Sequence, residues 1–166
     1  MTWPEYFFGI INSVKVKSKD PHTKVGCVIV GPDNEIRSTG YNSFVRGLKD
    51  DVPERLVRVS EIHPLYNKYS FIEHSERNAI YNAAAVGIPV KGCTIYMQGL
   101  PCIDCARAII QSRIKEIIFD GKEWDKWNSP KYDQKSIAIS LEILKETGVK
   151  ITRIDIEGTE VKATEL

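Results

Sequence analysis

The chain has 166 residues and a formal net charge of +1, with 42% hydrophobic and 27% charged residues. This length and composition favour one soluble globular domain, and the near-neutral charge excludes the basic footprint of a protein that binds long nucleic acid. No run of about 18 apolar residues occurs, so no membrane span is predicted, and residues 1–5 lack the layout of a secretion signal.

Apolar periodicity and turn residues divide the chain into alternating helices and strands. Helical spacing of apolar side chains begins near Phe7 and is ended by Asp20-Pro21, while short apolar runs bounded by turn residues predict strands. Residues 42–72 have no strong period. In chain order, the predicted elements are a helix at 3–18, strands at 24–31 and 35–41, short helices near 53–59 and 64–69, a helix at 73–86, a strand at 93–98, a helix at 102–112, a strand at 116–119, a loop at 120–131, a helix at 133–146 and a strand at 150–156.

Strands that alternate with helices predict an α/β domain in which helices cover both faces of a central mixed sheet. We assign residues 1–156 to this single domain and expect residues 157–166 to be a polar, frayed C-terminal tail. Cys27 and Cys93 lie in apolar strand-like runs and are expected to be buried free thiols. This use of cysteine fits a reducing compartment, so a cytoplasmic location is expected.

The most informative residues are His74, Glu76, Cys102 and Cys105. One histidine and two cysteines can hold Zn²⁺ and leave a fourth position for water, which is the arrangement of catalytic zinc sites. The carboxylate of Glu76 is not needed as a ligand and can move protons instead. Both cysteines open a predicted helix, whose free N–H groups favour the thiolate. The sequence therefore predicts one catalytic zinc ion.

Each of these residues also has a simpler interpretation. Glu76 can cap a helix, His74 can be a surface histidine, and the Cys-x-x-Cys pair can be a redox motif. The occurrence of all these residues together favours a zinc site over the simpler interpretations. A structural zinc ion would need a fourth protein ligand, but the other histidines, His22 and His63, lie in predicted loops with no companion at ligand spacing.

Several blocks of the sequence resemble the deoxycytidylate (dCMP) deaminase family of zinc-dependent enzymes. The zinc motif is shared by the wider cytidine deaminase superfamily, whereas the N-terminal blocks and Gly40-Tyr41-Asn42 resemble the dCMP branch. The resemblance implies a three-layer α/β/α fold with a central five-stranded mixed sheet, and a homo-oligomer. The matching blocks are residues 3–7, 18–21, 25–30, 40–42, 74–80 and 101–106.

The resemblance also implies an activity, the hydrolysis of dCMP to dUMP and ammonia, which feeds thymidylate synthesis. In this interpretation Glu76 takes a proton from water, delivers one to N3 of the cytosine ring and helps ammonia to leave. The backbone N–H of Ser75 binds the carbonyl group of the base. Asn42 contacts the sugar or the base, or, as the alternative, is only a turn residue after a strand.

The 5′-phosphate of a nucleotide would need a cation, and the irregular segment 42–72 contains candidates. A fork-shaped guanidinium suits a phosphate group, so Arg46, Arg55 and Arg58 are candidate phosphate ligands. As an alternative, Arg58 can pair with Glu54 on an exposed helix.

Two residues depart from the family pattern beside its motifs. Ser43 follows Gly40-Tyr41-Asn42 where glycine is usual, and Arg77 follows Glu76 where a smaller or apolar side chain is usual. The reaction type is therefore indicated more strongly than the substrate. The alternatives are a deaminase of another base, such as cytidine, guanine or tRNA adenosine, and a non-catalytic zinc- or nucleotide-binding module. Neither a membrane nor long nucleic acid is an expected partner.

Overall fold

The computed structural model describes residues 1–127, 134–157 and 160–166. Within them a six-stranded mixed sheet is flanked by helices, and two short strands form a separate ribbon. The strands are β1 (Gly26–Val30), β2 (Ile36–Tyr41), β3 (Ser43–Phe44), β4 (Ile72–Glu73), β5 (Thr94–Met97), β6 (Glu116–Asp120), β7 (Lys150–Glu157) and β8 (Glu160–Glu165). The helices are α1 (Trp3–Lys15), α2 (Lys68–Phe71), α3 (Ser75–Ala85), α4 (Ile103–Gln111), α5 (Gly121–Trp127) and α6 (Gln134–Glu146), with a 3₁₀ turn at Pro53–Arg55.

The strand order in the large sheet is β2-β1-β5-β6-β7-β8. Strands β5, β6 and β7 run parallel, because α4 returns the chain from β5 to β6 and α6 lies between β6 and β7. The other neighbouring strands pair antiparallel. The carboxyl end of β5 therefore leads directly into the segment that carries Cys102 and Cys105.

Side chains alternate along the central strands between two apolar layers. Cys27 and Ile29 of β1 face a layer built with α3, α4 and α6, whereas Val28 and Val30 face α1 through Phe7. Helices thus cover both faces of the sheet, which confirms the predicted three-layer α/β/α class. Across the ranges that the structure describes, no helix combines the length and apolar character needed to cross a membrane.

The structure differs from the sequence predictions in several places, one of which is the unpredicted ribbon of β3 and β4. The sheet has six strands rather than five, because residues 160–165 form β8 along β7 where a frayed tail was expected. Helix α5 occupies part of the predicted loop 120–131. The short helices of the segment 42–72 are smaller than expected. The rest of that predicted loop, and the predicted start of a helix at 133, lie outside the described residues.

Candidate active site

The zinc-ligand candidates lie at the starts of two helices that share one face of the sheet. His74 is the N-cap residue of α3 and Cys102 is the N-cap residue of α4. Neither side chain makes a capping hydrogen bond, so the imidazole and the thiol remain available as ligands. Cys105 follows in the first turn of α4 and is buried. The sequence placed these residues inside the first helical turns, and the structure moves two of them to the caps.

The three donor atoms have the spacing that a tetrahedral zinc ion requires. With Zn–S near 2.3 Å and Zn–N near 2.05 Å, tetrahedral ligation separates a sulfur from a nitrogen ligand by about 3.6 Å. Nδ1 of His74 lies 3.6 Å from Sγ of Cys102 and 3.5 Å from Sγ of Cys105. The three donor atoms all lie within 4.8 Å of one another. The geometry therefore fits Zn²⁺ bound through Nδ1 and two sulfurs.

The electrostatics of this group also fit a divalent cation. Hydrogen bonds with Cys105 and with His74, opposed by burial, lower the pKa of the Cys102 thiol to about 3. The hydrogen bond with Cys102, together with burial, raises the pKa of the Cys105 thiol. The hydrogen bond with Cys102 also raises the pKa of the His74 imidazole. A bound divalent cation would favour the thiolate form of both cysteines.

Glu76 places a carboxylate beside the donor atoms. It lies in the first turn of α3, is only 6% exposed, and its negative charge acts on both His74 and Cys105. The hydroxyl of Ser75 donates a hydrogen bond of 2.8 Å to Oε2 of Glu76. In the part of the chain that the structure describes, no hydrogen bond reaches Oε1. Oε1 is therefore available for contact with a bound molecule.

The first turn of α3 is seated directly on the sheet. A side chain at Gly40 of β2 would overlap the backbone of Ser75 and of Ala79, so only glycine permits this approach. The thiol of Cys27 in β1 donates a hydrogen bond of 3.1 Å to the carbonyl oxygen of Ser75. The amide of Asn78 donates to the carbonyl of Tyr41 at 2.9 Å. Contacts with two strands thus set the position of Glu76.

Asn42 is buried, and its amide group is engaged with the protein. Oδ1 accepts a hydrogen bond of 2.8 Å from the N–H of Val25, and Nδ2 donates to the carbonyl of Thr23 at 2.8 Å and to Asp20 at 3.5 Å. In this structure the side chain organises the loop that precedes β1. The predicted contact of Asn42 with a sugar or base stays a prediction.

A buried ion pair, which the sequence did not reveal, joins this loop to the chain that enters the site. Nζ of Lys68 lies 2.6 Å from Oδ2 of Asp20, and these residues are 6% and 4% exposed. Lys68 begins α2, which leads through β4 to His74. No sequence pattern links the two residues, because they are 48 positions apart and each alone resembles an ordinary surface charge.

The three candidate phosphate ligands do not converge on one point. Arg46 donates to the side chain of Asn82, and Arg55 donates to the carbonyl of Lys49 at 2.9 Å. Arg58 is exposed, and among the described residues it has no ion pair with Glu54. A cavity of about 290 Å³ is lined by Arg46, and by Lys17, Lys19, Tyr41, Ser43 and Asn78 among others.

Arg77, the unusual residue after Glu76, is half-buried and points toward the zinc-ligand side of α3. Its guanidinium forms ion pairs with Glu73 and, at 3.6 Å, with Asp104. Burial disfavours its charge, but the nearby Cys105 and the Glu73 carboxylate outweigh burial and raise the pKa of Arg77. Arg77 therefore contributes a positive charge beside the candidate cysteine ligands.

The fold and the site together define a class of protein. A three-layer α/β/α domain with one histidine and two cysteines at two helix N-termini, and a glutamate that is not a ligand, has the design of a zinc-dependent nucleobase deaminase. A family model described as the cytidine and deoxycytidylate deaminase zinc-binding region matches residues 1–120. The chain belongs to this family, which confirms the predicted family and its zinc cofactor.

Several proteins named as deaminases are similar to this chain in sequence. The human deoxycytidylate deaminase is 43% identical over 120 residues, which are 72% of this chain and 65% of the human protein. A probable deoxycytidylate deaminase of Drosophila melanogaster is 34% identical over 91% of this chain and 71% of that protein. An uncharacterized deaminase of Aliivibrio fischeri is 31% identical over 93% of this chain and 95% of that protein. The chain thus spans about two thirds of the length of the human relative.

A solved structure supports the fold. The dCMP deaminase of the cyanophage S-TIM5, in its apo form, superposes with a TM-score of 0.64 at 19% sequence identity. The match covers 92% of this chain and 96% of the phage protein. Because so few residues are identical, this similarity concerns the arrangement of helices and strands.

Proposed function

We propose that this chain deaminates dCMP by hydrolysis, releasing dUMP and ammonia. The observation that carries the proposal is the placement of the Glu76 carboxylate beside the donor atoms of His74, Cys102 and Cys105 at the start of α3. A structural zinc site has no use for such a carboxylate, whereas hydrolysis of an amino-substituted base needs a group that moves protons.

The choice of dCMP is supported by the relatives. Three mammalian deoxycytidylate deaminases are 40–43% identical to this chain. The phage dCMP deaminase of similar fold has also been solved in complex with dCMP and dUMP. The product dUMP would feed thymidylate synthesis.

Each residue of the site has a distinct role in the proposed reaction. His74, Cys102 and Cys105 would hold Zn²⁺, which when bound acts as a Lewis acid that makes water nucleophilic near neutral pH. Glu76 accepts a proton from water through Oε1 and returns it to N3 of the ring. It then carries the hydroxyl proton of the adduct to the departing amino group. The backbone N–H of Ser75 holds the carbonyl of the base, and Asn42 contacts the sugar or base.

The phosphate group is proposed to bind a basic side chain of the segment 42–72. Of the three candidates, Arg46 is supported most directly, since it lines a cavity together with Lys17 and Lys19. Arg55 and Arg58 remain candidates. We further propose that the chain acts in the cytoplasm as a homo-oligomer, with residues 1–156 as its single catalytic domain and 157–166 as a C-terminal extension, and without a membrane or long nucleic acid as partner.

The test is ammonia release from dCMP, CMP, dCTP, deoxycytidine and guanine by zinc-loaded protein. We expect turnover to be fastest on dCMP. Glu76→Gln serves as the matched control, because it keeps the size of the side chain but removes the proton acceptor. It should bind about one zinc ion per chain, as the three-ligand site predicts, and be inactive.

Other outcomes separate the alternatives. Equal rates on dCMP and deoxycytidine would contradict the phosphate contact but leave the deamination proposal intact. Faster turnover of guanine, or of a tRNA adenosine substrate assayed beside this panel, would assign the site to another base. Retention of zinc with no turnover of any base would favour a non-catalytic binding module.

A further inference from the structure

We propose that the side-chain hydroxyl of Ser75 is a positioning group for Glu76, which holds one carboxylate oxygen so that the other faces the substrate. This role differs from that of the Ser75 backbone N–H, and it rests on the proposed function, in which Glu76 moves protons. It would make Ser75 a positioning residue rather than a catalytic one.

The hydrogen bond is enclosed and well formed. Oγ of Ser75 lies 2.8 Å from Oε2 of Glu76, and Ser75 is 1% exposed. A buried hydroxyl needs an acceptor, and within the described part of the chain Glu76 is the acceptor found for this one. A hydrogen bond from a neutral hydroxyl to a carboxylate is also stronger than one between two neutral groups.

The backbone of Ser75, which carries the donor hydroxyl, is packed closely against the sheet. The carbonyl oxygen of Ser75 accepts the thiol of Cys27 and lies against Gly40, where any side chain would overlap it. The backbone of Ser75 is therefore held against β1 and β2, and Oγ is attached to it through a single rotatable bond. A glutamate side chain has three rotatable bonds, and the hydrogen bond from Ser75 restricts the last of them.

The two oxygens of Glu76 consequently have different tasks. Oε2 accepts the hydrogen bond from Ser75 and is committed to it, while Oε1 has no partner in the described residues. A proton taken from water and returned to N3 of the ring would travel through Oε1, and the bond at Oε2 would persist throughout. Proton transfer depends on such alignment, because a misoriented base must first rotate into reach.

The test uses three zinc-loaded variants. Ser75→Ala removes the hydroxyl but keeps the backbone N–H, and Ser75→Thr restores a hydroxyl. Ser38→Ala is the matched control, since the Ser38 hydroxyl donates at 2.7 Å to Ala79 of the same helix without touching Glu76. For Ser75→Ala we expect kcat on dCMP to fall about tenfold, the usual effect of removing an orienting partner, with KM changed by less than about twofold.

The controls separate positioning from general damage to the fold. We expect Ser38→Ala to keep the wild-type kcat, and Ser75→Thr to recover most of the loss. All variants should bind the same amount of zinc. An unchanged kcat in Ser75→Ala would overturn the proposal, as would a rise in KM alone. Equal loss of kcat in folded, zinc-loaded Ser75→Ala and Ser75→Thr would also overturn it, because the hydroxyl would then not be the active feature.

A structural readout keeps this inference separate from the proposed function. In crystals of the zinc-loaded protein, the Glu76 carboxylate should adopt one orientation in the wild type and more than one in Ser75→Ala. If the wild type deaminates none of the bases, the proposed function fails, yet this comparison still decides the role of Ser75. A single, unchanged orientation in Ser75→Ala would overturn the positioning role in either case.

Discussion

The buried ion pair between Asp20 and Lys68 predicts that removing its cation alone is costly. Lys68→Met would leave the Asp20 carboxylate buried without a counter-charge. Breaking a buried pair in this way typically costs about 3–5 kcal/mol. Asp20 keeps hydrogen bonds from the backbone of His22 and Thr23 and from Asn42, so we expect the lower end, about 3 kcal/mol. In a domain of this size that loss corresponds to a fall in Tm of roughly 6–12 °C.

The double variant Asp20→Asn/Lys68→Met tests whether the pair itself carries the effect. It removes both charges and should therefore be more stable than Lys68→Met alone, by about 1–2 kcal/mol. The measurement is denaturant unfolding of zinc-saturated protein, followed by far-ultraviolet circular dichroism. Lys19→Met is a matched control, because Lys19 pairs with Asp50 at the surface and should cost less than about 1 kcal/mol.

The same pair predicts a pH dependence. Burial opposes the charge of Asp20, but the hydrogen bonds from Lys68 and from the backbone of His22 and Thr23 outweigh burial and hold its pKa below the ordinary 3.8. A depressed pKa stabilises the fold above the unfolded-state pKa, and the contribution is lost as pH falls through the folded-state pKa. The difference in stability between the wild type and Lys68→Met should therefore be largest near neutral pH and shrink as the pH falls through the lowered pKa of Asp20. A loss below about 0.5 kcal/mol in Lys68→Met at neutral pH, or a double variant no more stable than Lys68→Met, would refute this reasoning.

Two further predictions concern the seat of α3 and the edge of the sheet. Gly40→Ala should reduce stability by about 1–3 kcal/mol through overpacking and should reduce zinc content, as measured by Tm and zinc analysis. Gly9→Ala is the control and should be neutral or stabilising, because a side chain there meets open space in α1. Full zinc retention in Gly40→Ala would contradict the close approach of α3 to Gly40. Deleting residues 158–166 removes β8 and exposes the edge of β7. We therefore expect a lower Tm and concentration-dependent aggregation, measured by light scattering. An unchanged Tm would show that β8 adds no stability.

The sequence identified the three residues whose donor atoms the structure brings together, but it did not identify the contacts that hold them in place. His74, Cys102 and Cys105 are recognisable because metal ligands are few in kind and occur at short, regular spacings. The Asp20–Lys68 pair had no such signal, since ion pairing across the fold leaves no local pattern. Strand β8 was missed for a related reason: its polar side chains line an outer edge, and a backbone ladder requires no apolar alternation.

In the proposed function, zinc chemistry and substrate choice come from different parts of this fold. Glu76 and the candidate zinc ligands lie at the starts of α3 and α4, which pack on the sheet, and α3 makes close contacts with Gly40 and Cys27. The segment 42–72, which carries the candidate phosphate ligands, consists largely of irregular chain with many exposed side chains. Substitutions there can change which nucleotide is held without moving the carboxylate or the ligands. The buried Lys68 joins these parts, because its ion pair with Asp20 ties the end of the segment to the loop that Asn42 organises. Changes of substrate are therefore expected to map to residues 45–67, and losses of zinc chemistry to the contacts beneath α3.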